Sequence, residues 1–300
     1  MMASKNVFVT IVGRANVGKS SLLNAIIGEK IAMVTDKPQT TRTKITGVLT
    51  KEETQFVFID TPGVQFRTKD KLGEHMNRQV KESVTDIDVI VFVMDVTRKI
   101  NDSEKKFIEG FKSSKSPVIL VLNKIDLVEK EKLMPIISEA SALLDFAAVI
   151  PVSVVKNDGV DIVVSEVEKF AVEGPHFFPD DKFTDQNERV LAAEIIREKL
   201  LILLKEEIPH GIAVTVEKMD ERTDKDLLDI DAVIYCERDS HKGIIIGKKG
   251  AMLKKIGMLA RQELEEFFRI KVNLQCWIKV KEDWRNREGL IHNFGLDFRK

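Results

Sequence analysis

The stretch VFVTIVGRANVGKSSLLNAIIG, Val7–Gly28, places a β-branched run, a glycine-bounded loop and an apolar helical pattern in direct succession. Within it, Gly13–Ser20 reads GRANVGKS and matches GxxxxGK[ST], a pattern that carries chemistry only with a strand before it and a helix after it. Backbone N–H groups of such a loop wrap a β-phosphate, Lys19 neutralises the β- and γ-phosphates, and the Ser20 hydroxyl is placed to ligate Mg²⁺. The following helix adds its positive end. Gly13, Arg14, Ala15, Asn16, Val17, Gly18, Lys19, Ser20 and Ser21 are therefore the candidate phosphate contacts.

Outward from this stretch, the runs QFVFID, VIVFVMD, VILVLNK and AAVIPVS alternate with helix-like segments up to about residue 173. That alternation predicts an α/β fold, a P-loop domain whose mainly parallel sheet is covered by crossover helices, with the ligand at the C-terminal strand ends. Two further motifs fall at such ends. Asp60-Thr61-Pro62-Gly63 closes QFVFI, where the aspartate holds Mg²⁺ through water and the Gly63 N–H senses a γ-phosphate. Asn123-Lys124-Ile125-Asp126 closes VILVLN, and the Asp126 carboxylate suits the N1–H and 2-amino donors of guanine, which adenine does not present together. Ser153 ends a further strand and packs the base from the other side, with backbone contacts expected from Val154 and Val155.

The ordered set GxxxxGKS, a loop threonine, DTPG and NKxD resembles the translation-factor-like GTPases. Within that group the loop VTDKPQTTR, Val34–Arg42, is similar to switch I of the bacterial GTPases that use a monovalent cation. The resemblance implies a switch I of Gln39, Thr40, Thr41, Arg42 and Thr43, with Thr41 as second Mg²⁺ ligand beside Ser20 and Asp60; Thr40 is the competing assignment. Lys19, Thr41 and Gly63 become the candidate catalytic groups. Val64 stands where many regulatory GTPases carry a water-orienting glutamine, and an apolar side chain cannot hold that water. In the cation-dependent relatives an asparagine at the Asn16 position helps to hold K⁺, so the resemblance implies a K⁺ shell of Asn16 with backbone carbonyls near Thr35 and Lys37. The plainer alternative is an asparagine that only shapes the loop.

The stretch Glu173–Gln186, EGPHFFPDDKFTDQ, breaks the alternation and is expected to be a linker, dividing the chain into residues 1–173, a linker at 174–187, and a second domain at 188–300. The second half restarts with the helical run ERVLAAEIIREKLLILLKEE, followed by strands GIAVTVEKM and LLDIDAVIYCER, a helix, the loop GKKG, a long helix and the strand KVNLQCWIKV. GKKG lacks a GK[ST] sequence and lies between helices rather than after a strand. A helix-GxxG-helix unit packed on strands resembles the KH domain, in its type II order, where the loop clamps the backbone of a few unpaired nucleotides. By that resemblance Gly247 and Gly250 allow close approach, Lys248 and Lys249 meet phosphates, Ile245 and Ile246 line the base groove, and Lys242 and Lys254 stand on its rim. Arg238–Arg287 holds 13 Lys and Arg against 6 Asp and Glu, a local +7, whereas Glu173–Glu237 holds 8 against 17, a local −9. Only the former attracts a polyanion.

Composition is consistent with two ordinary domains: 300 residues, 43% apolar and 32% charged, with a net charge of −1. No run of about 18 uncharged apolar residues occurs, and no signal peptide is read at the start, so a cytoplasmic protein is expected. Cys236 and Cys276 lack metal-ligand spacing and are expected to be buried, reduced thiols. Taken over the whole chain, the pairing resembles the bacterial GTPases of small-subunit ribosome assembly. It implies a GTP/GDP switch that binds single-stranded RNA near the 3′ end of 16S rRNA, acts on the 30S subunit and touches the membrane peripherally. The competing readings are an RNA-binding module with a vestigial GTPase, and a tRNA-modification GTPase, which the absence of its C-terminal catalytic cysteine disfavours.

Overall fold

The computed structural model describes residues 4–37, 39–64, 70–205, 208–222 and 224–296. Pro38 of the loop Val34–Arg42, Glu206 and Glu207 of the first C-terminal helical run, and Thr223 of the turn between the following strands lie outside the described residues. Contacts divide the chain into two compact units, one of Met1–Ala32, Thr41–Thr68 and Met76–Asp185, the other of Met33–Thr40, Lys69–His75 and Gln186–Lys300.

The first unit is built on a sheet of order β2-β3-β1-β4-β5-β6, formed by β1 (Lys5–Val12), β2 (Ile45–Lys51), β3 (Thr54–Asp60), β4 (Val89–Asp95), β5 (Val118–Asn123) and β6 (Ala148–Val152). β1, β3, β4, β5 and β6 pair in parallel; β2 lies antiparallel on β3. The central strands read as continuous apolar runs because both faces are covered. Val89, Val91 and Val93 of β4 enter one core with Leu22 and Leu23 of helix α1 (Lys19–Ile27), while Ile90, Phe92 and Met94 enter a second core on the opposite face. Helices α2 (Lys71–Ser83), α3 (Asp102–Gly110), α4 (Leu133–Ser141) and α5 (Val160–Glu168) follow β3, β4, β5 and β6 in the chain. Helix α3 starts at a capping box, in which the Asn101 side chain accepts from the Glu104 N–H and the Glu104 carboxylate accepts from the Asn101 N–H.

Two elements escape the sequence pattern. β2 and the two-residue β7 (Val172–Glu173, antiparallel on β1) carry no clean apolar alternation. The expected linker is also more than a linker, because its residues bond to the sheet edge as far as Thr184. Buried Gln55 accepts the N–H groups of Phe177 and Phe178 at 2.7 and 3.0 Å and donates to the Phe178 carbonyl at 2.9 Å. The Val48 N–H donates to Phe183 O at 2.9 Å, and Thr184 Oγ1 to Thr46 O at 2.7 Å. A polar, proline-rich stretch reads as a loop, but its backbone groups find partners on the open edge of β2 and on Gln55.

The second unit follows the order α6 (Glu188–Leu203), β8 (Ala213–Arg222), β9 (Leu227–Cys236), α7 (Asp239–Ile246), α8 (Ala251–Phe268), β10 (Lys271–Val280), which is the order expected of the GxxG domain. Its sheet runs β10-β9-β8, with β9 parallel to β10 and antiparallel to β8. One core joins Ile196 and Leu200 of α6, Ile230 and Ile234 of β9, Ile245 of α7, and Ile256, Ala260 and Leu264 of α8. The chain then continues into α9 (Glu288–Asn293), anchored by buried Trp284, whose indole N–H donates to Gly211 O at 2.9 Å.

Candidate functional site: a nucleotide pocket and a GxxG groove

In the first unit the motif residues gather at the C-terminal ends of β1, β3, β5 and β6. Gly18 takes a left-handed φ of 101°, and a Cβ there would lie 2.1 Å from Asn123 Nδ2, so only glycine lets the Gly13–Ser20 loop pass the end of β5. Buried Lys19 donates to Arg14 O at 2.9 Å, across the loop it closes. Arg14 pairs with Glu104 at 3.2 Å.

Ser20, Thr41 and Asp60 meet. Ser20 Oγ donates to Asp60 Oδ2 at 2.6 Å and lies 2.8 Å from Thr41 Oγ1, so the Thr41 hydroxyl supplies the proton of that second bond. Thr40 faces elsewhere: its hydroxyl donates to Lys37 O at 2.6 Å and lies 2.7 Å from Thr35 Oγ1. Asp60 is fully buried, and its Oδ1 has no hydrogen-bond partner among the described residues. Burial pushes its carboxyl up to about 6 against the opposing charge of Lys19 and the hydrogen bonds from Ser20 and Thr61. The same burial lowers the Lys19 ammonium, with Asp60 opposing. Two hydroxyls and a desolvated carboxylate with a spare oxygen are a fitting donor set for a hard divalent cation.

Thr61 is spent on structure, its hydroxyl donating to Ile11 O at 2.9 Å. Beyond Pro62, a Cβ on Gly63 would lie 2.7 Å from the backbone of Ala15, which brings the Gly63 N–H beside the phosphate loop. The Val64 N–H donates to Gly13 O at 3.1 Å, and its side chain packs on the apolar core, away from any water-holding role.

The residues of the Asn123–Asp126 motif and Ser153 interlock. Asn123 Nδ2 donates to Val17 O at 2.8 Å, and its Oδ1 accepts from the N–H of Lys124 at 2.8 Å and of Val154 at 3.2 Å. Lys124 donates to Asn16 O at 2.9 Å and to Asp95 at 2.6 Å. Burial alone would raise the Asp95 carboxyl, but the bonds from Lys124 and Thr97 hold it below its ordinary range. Ser153 Oγ donates to Asp126 Oδ1 at 2.6 Å. Val155 is 90% exposed and offers no buried contact. The sequence did not single out Asp95, although an aspartate ending a strand beside NKID was a usable signal.

In the second unit α7 and α8 flank Gly247–Gly250, with Lys248 and Lys249 exposed and Lys242 half-buried. Gly250 has φ 80° with open space around it, so its glycine is required by conformation rather than by crowding. Beside the loop lies a groove of about 570 Å³ lined by Gly250, Leu253, Lys254, Gly257, Met258, Arg261, Leu274 and Cys276. Two expectations need correction. Ile245 is fully buried in the domain core, so its side chain is not free for the groove, and the half-buried Ile246 is not among the lining residues. Cys276 is not sealed in the core like Cys236; it is half-buried in the groove wall, where desolvation lifts its thiol to about 11 and keeps it protonated. In both cases helical or strand phase, rather than hydrophobicity, decides which side a residue faces.

Residues 8–124 match a family model described as 50S ribosome-binding GTPase, and residues 207–285 match a KH-domain model. GTPase Era of Clostridioides difficile (strain 630) is 52% identical over 294 residues, covering 98% of this chain and 99% of its own. GTPase Era of Ruminiclostridium cellulolyticum is 48% identical over 299 residues, covering 100% of both. Among solved structures, a tyrosine-to-alanine variant of Aquifex aeolicus Era bound to GDP·AlF₄⁻ is 38% identical with a TM-score of 0.93, over 98% of this chain and 100% of that one. Era in complex with MgGDPNP and nucleotides 1506–1542 of 16S ribosomal RNA gives 38% and 0.92 over the same shares. With such identity across both units, the chain belongs to the Era family of GTPases.

Proposed function

We propose that this GTPase is a switch that clamps single-stranded RNA near the 3′ end of 16S rRNA through residues 188–300 and so assists assembly of the 30S subunit. The observation that carries the reading is the meeting of Ser20, Thr41 and Asp60, with a buried Asp60 oxygen that has no partner among the described residues, at the mouth of the phosphate loop. The related complex of Era with MgGDPNP and 16S RNA supports it.

In the proposed cycle residues Gly13–Ser21 wrap the phosphates, Lys19 leaves Arg14 O for them, and Asp126, held by Ser153, reads guanine. Ser20, Thr41 and Asp60 would hold Mg²⁺, which would supply positive charge to offset that of the phosphates. The Gly63 N–H senses the γ-phosphate. Asn16 and the carbonyls of Thr35 and Lys37 would hold K⁺, which would supply the charge that an arginine finger supplies elsewhere. Gly247–Gly250 grips the RNA backbone, with Lys242, Lys248, Lys249 and Lys254 on phosphates, and bases enter the groove beside α8. The division at residues 1–173, 174–187 and 188–300 belongs to this reading. So does a cytoplasmic location with peripheral membrane contact; among the described residues no helix is long and apolar enough to cross a membrane.

Steady-state GTP turnover in K⁺ and in equal Na⁺, with and without an oligonucleotide of the 16S 3′ end, tests the proposal. Turnover in K⁺ that exceeds turnover in Na⁺, together with binding of the oligonucleotide, is expected. Equal rates would remove K⁺, and no turnover in any condition would leave an RNA-binding module.

A further inference from the structure

Helix α6 carries three consecutive charged residues, Arg197, Glu198 and Lys199, that are 2%, 2% and 8% exposed. Such a run is costly to bury and persists where each charge is paired. All three are paired, in two directions. Arg197 donates through its guanidinium to Gln39 O at 3.4 Å and to Thr40 O, while Glu194 takes its Nε at 3.0 Å. Glu198 Oε1 accepts the Val34 N–H at 3.0 Å, and Lys37 Nζ donates to Leu204 O at the end of the same helix. The loop is thus gripped mainly through the backbone of Val34, Gln39 and Thr40, with the Lys37 side chain adding one bond of its own. Gln39 needs the grip, since its φ of 61° is unusual for a residue with a side chain. On the other side, Lys199 Nζ bonds Glu198 at 2.7 Å and Glu263 of α8. Helix α8 is the helix that begins at the GKKG loop and supplies Leu253, Lys254, Met258 and Arg261 to the groove.

The residue after Thr40 in the chain is Thr41, whose hydroxyl meets Ser20 beside Asp60. We propose that Arg197 and Glu198 are positioning residues for GTP hydrolysis, fixing Val34, Gln39 and Thr40 so that Thr41 is presented to Ser20, and that the Lys199–Glu263 pair ties the same grip to the GxxG helix. The inference rests on the proposed function. Its consequence is linkage: a nucleotide that holds Thr41 and an RNA that holds α8 act on one buried network, so each alters the other's affinity by the same factor. A grip made mostly on backbone atoms also explains why the device is absent from motif reading, since apart from Lys37 it uses no side chain of that loop.

The first test needs nucleotide alone. Arg197→Ala is expected to lower kcat roughly tenfold or more, to weaken binding of a non-hydrolysable GTP analogue, and to leave GDP affinity little changed; Arg197→Lys, which keeps one donor, restores part of kcat. A kcat equal to that of the parent, or equal losses for GDP and the GTP analogue, overturns the positioning role. The second test measures RNA-oligonucleotide affinity in the GTP-analogue and GDP states. Glu263→Gln, which keeps a hydrogen-bonding side chain of the same size, is expected to bind the oligonucleotide and to show a smaller ratio between the two states. An unchanged ratio overturns the tie to α8. Failure of the parent protein to bind the oligonucleotide in either state would count against the RNA reading, and the nucleotide-only test would still decide the role of Arg197.

Discussion

Ser153 Oγ donates a 2.6 Å hydrogen bond to Asp126 Oδ1, joining the ends of two strands that are separated by 27 positions in the chain. The bond fixes one carboxylate oxygen, so in the proposed role of Asp126 a guanine edge would meet a carboxylate that has little rotamer freedom left to lose. Ser153→Ala is therefore expected to weaken GDP binding roughly tenfold, the cost of a hydrogen bond to a charged group. Isothermal titration measures it, and an affinity unchanged by the substitution would show that Asp126 is oriented by other means.

Asp60 gives a pH dependence with a definite sign. Burial raises its carboxyl to about 6 in the folded protein, above its ordinary value. Its contribution to stability is thus fully present below the unfolded-state value and is lost as pH rises through about 6. Cation binding at Asp60, as proposed, would need the carboxylate and run the other way. The apparent Mg²⁺ affinity of the nucleotide complex is expected to fall roughly tenfold per pH unit below that point. Asp60→Asn should abolish this dependence, and a titration of Mg²⁺ affinity from neutral to acidic pH checks it.

Gln55 fastens the segment after β7 to the sheet through three backbone bonds. Gln55→Ala leaves two N–H groups and one carbonyl to find water, and is expected to cost about 2–4 kcal/mol in urea unfolding. Limited proteolysis should then cut within residues 174–187 faster than in the parent. Unaltered protection would mean that Val48 and Thr184 hold the strap by themselves.

Lys248 and Lys249 are exposed on the GxxG loop. Their joint replacement by aspartate is expected to abolish binding of single-stranded RNA and to spare GDP binding. The single changes Lys248→Ala and Lys249→Ala should each lower the salt slope of RNA affinity by roughly 0.7. Fluorescence anisotropy over a salt series reads both effects, and a slope that does not change would place the phosphates elsewhere.

Much of this protein was legible in its sequence, for reasons of range. GRANVGKS, DTPG and NKID encode short backbone conformations and single side chains at strand ends, so their chemistry follows from neighbours a few residues away. The parallel sheet follows equally from apolar runs covered on both faces. The same holds for the helix-GKKG-helix unit, whose glycine spacing and flanking periodicity are local.

Tertiary structure decided what depends on distant partners. Whether Thr40 or Thr41 faces Ser20 is a matter of loop path, and adjacent residues of one type carry no difference in sequence. Ile245 and Cys276 are both apolar in a pattern, yet one seals the core and the other walls the groove, because helix phase and strand register set the side each presents. β2 and the strap at 174–184 exist by pairing with an open edge rather than by their own propensity. Arg197, Glu198 and Lys199 look like a solvated stretch of helix. Only the fold brings backbone carbonyls and Glu263 to them, and buries the charges that the sequence leaves unexplained.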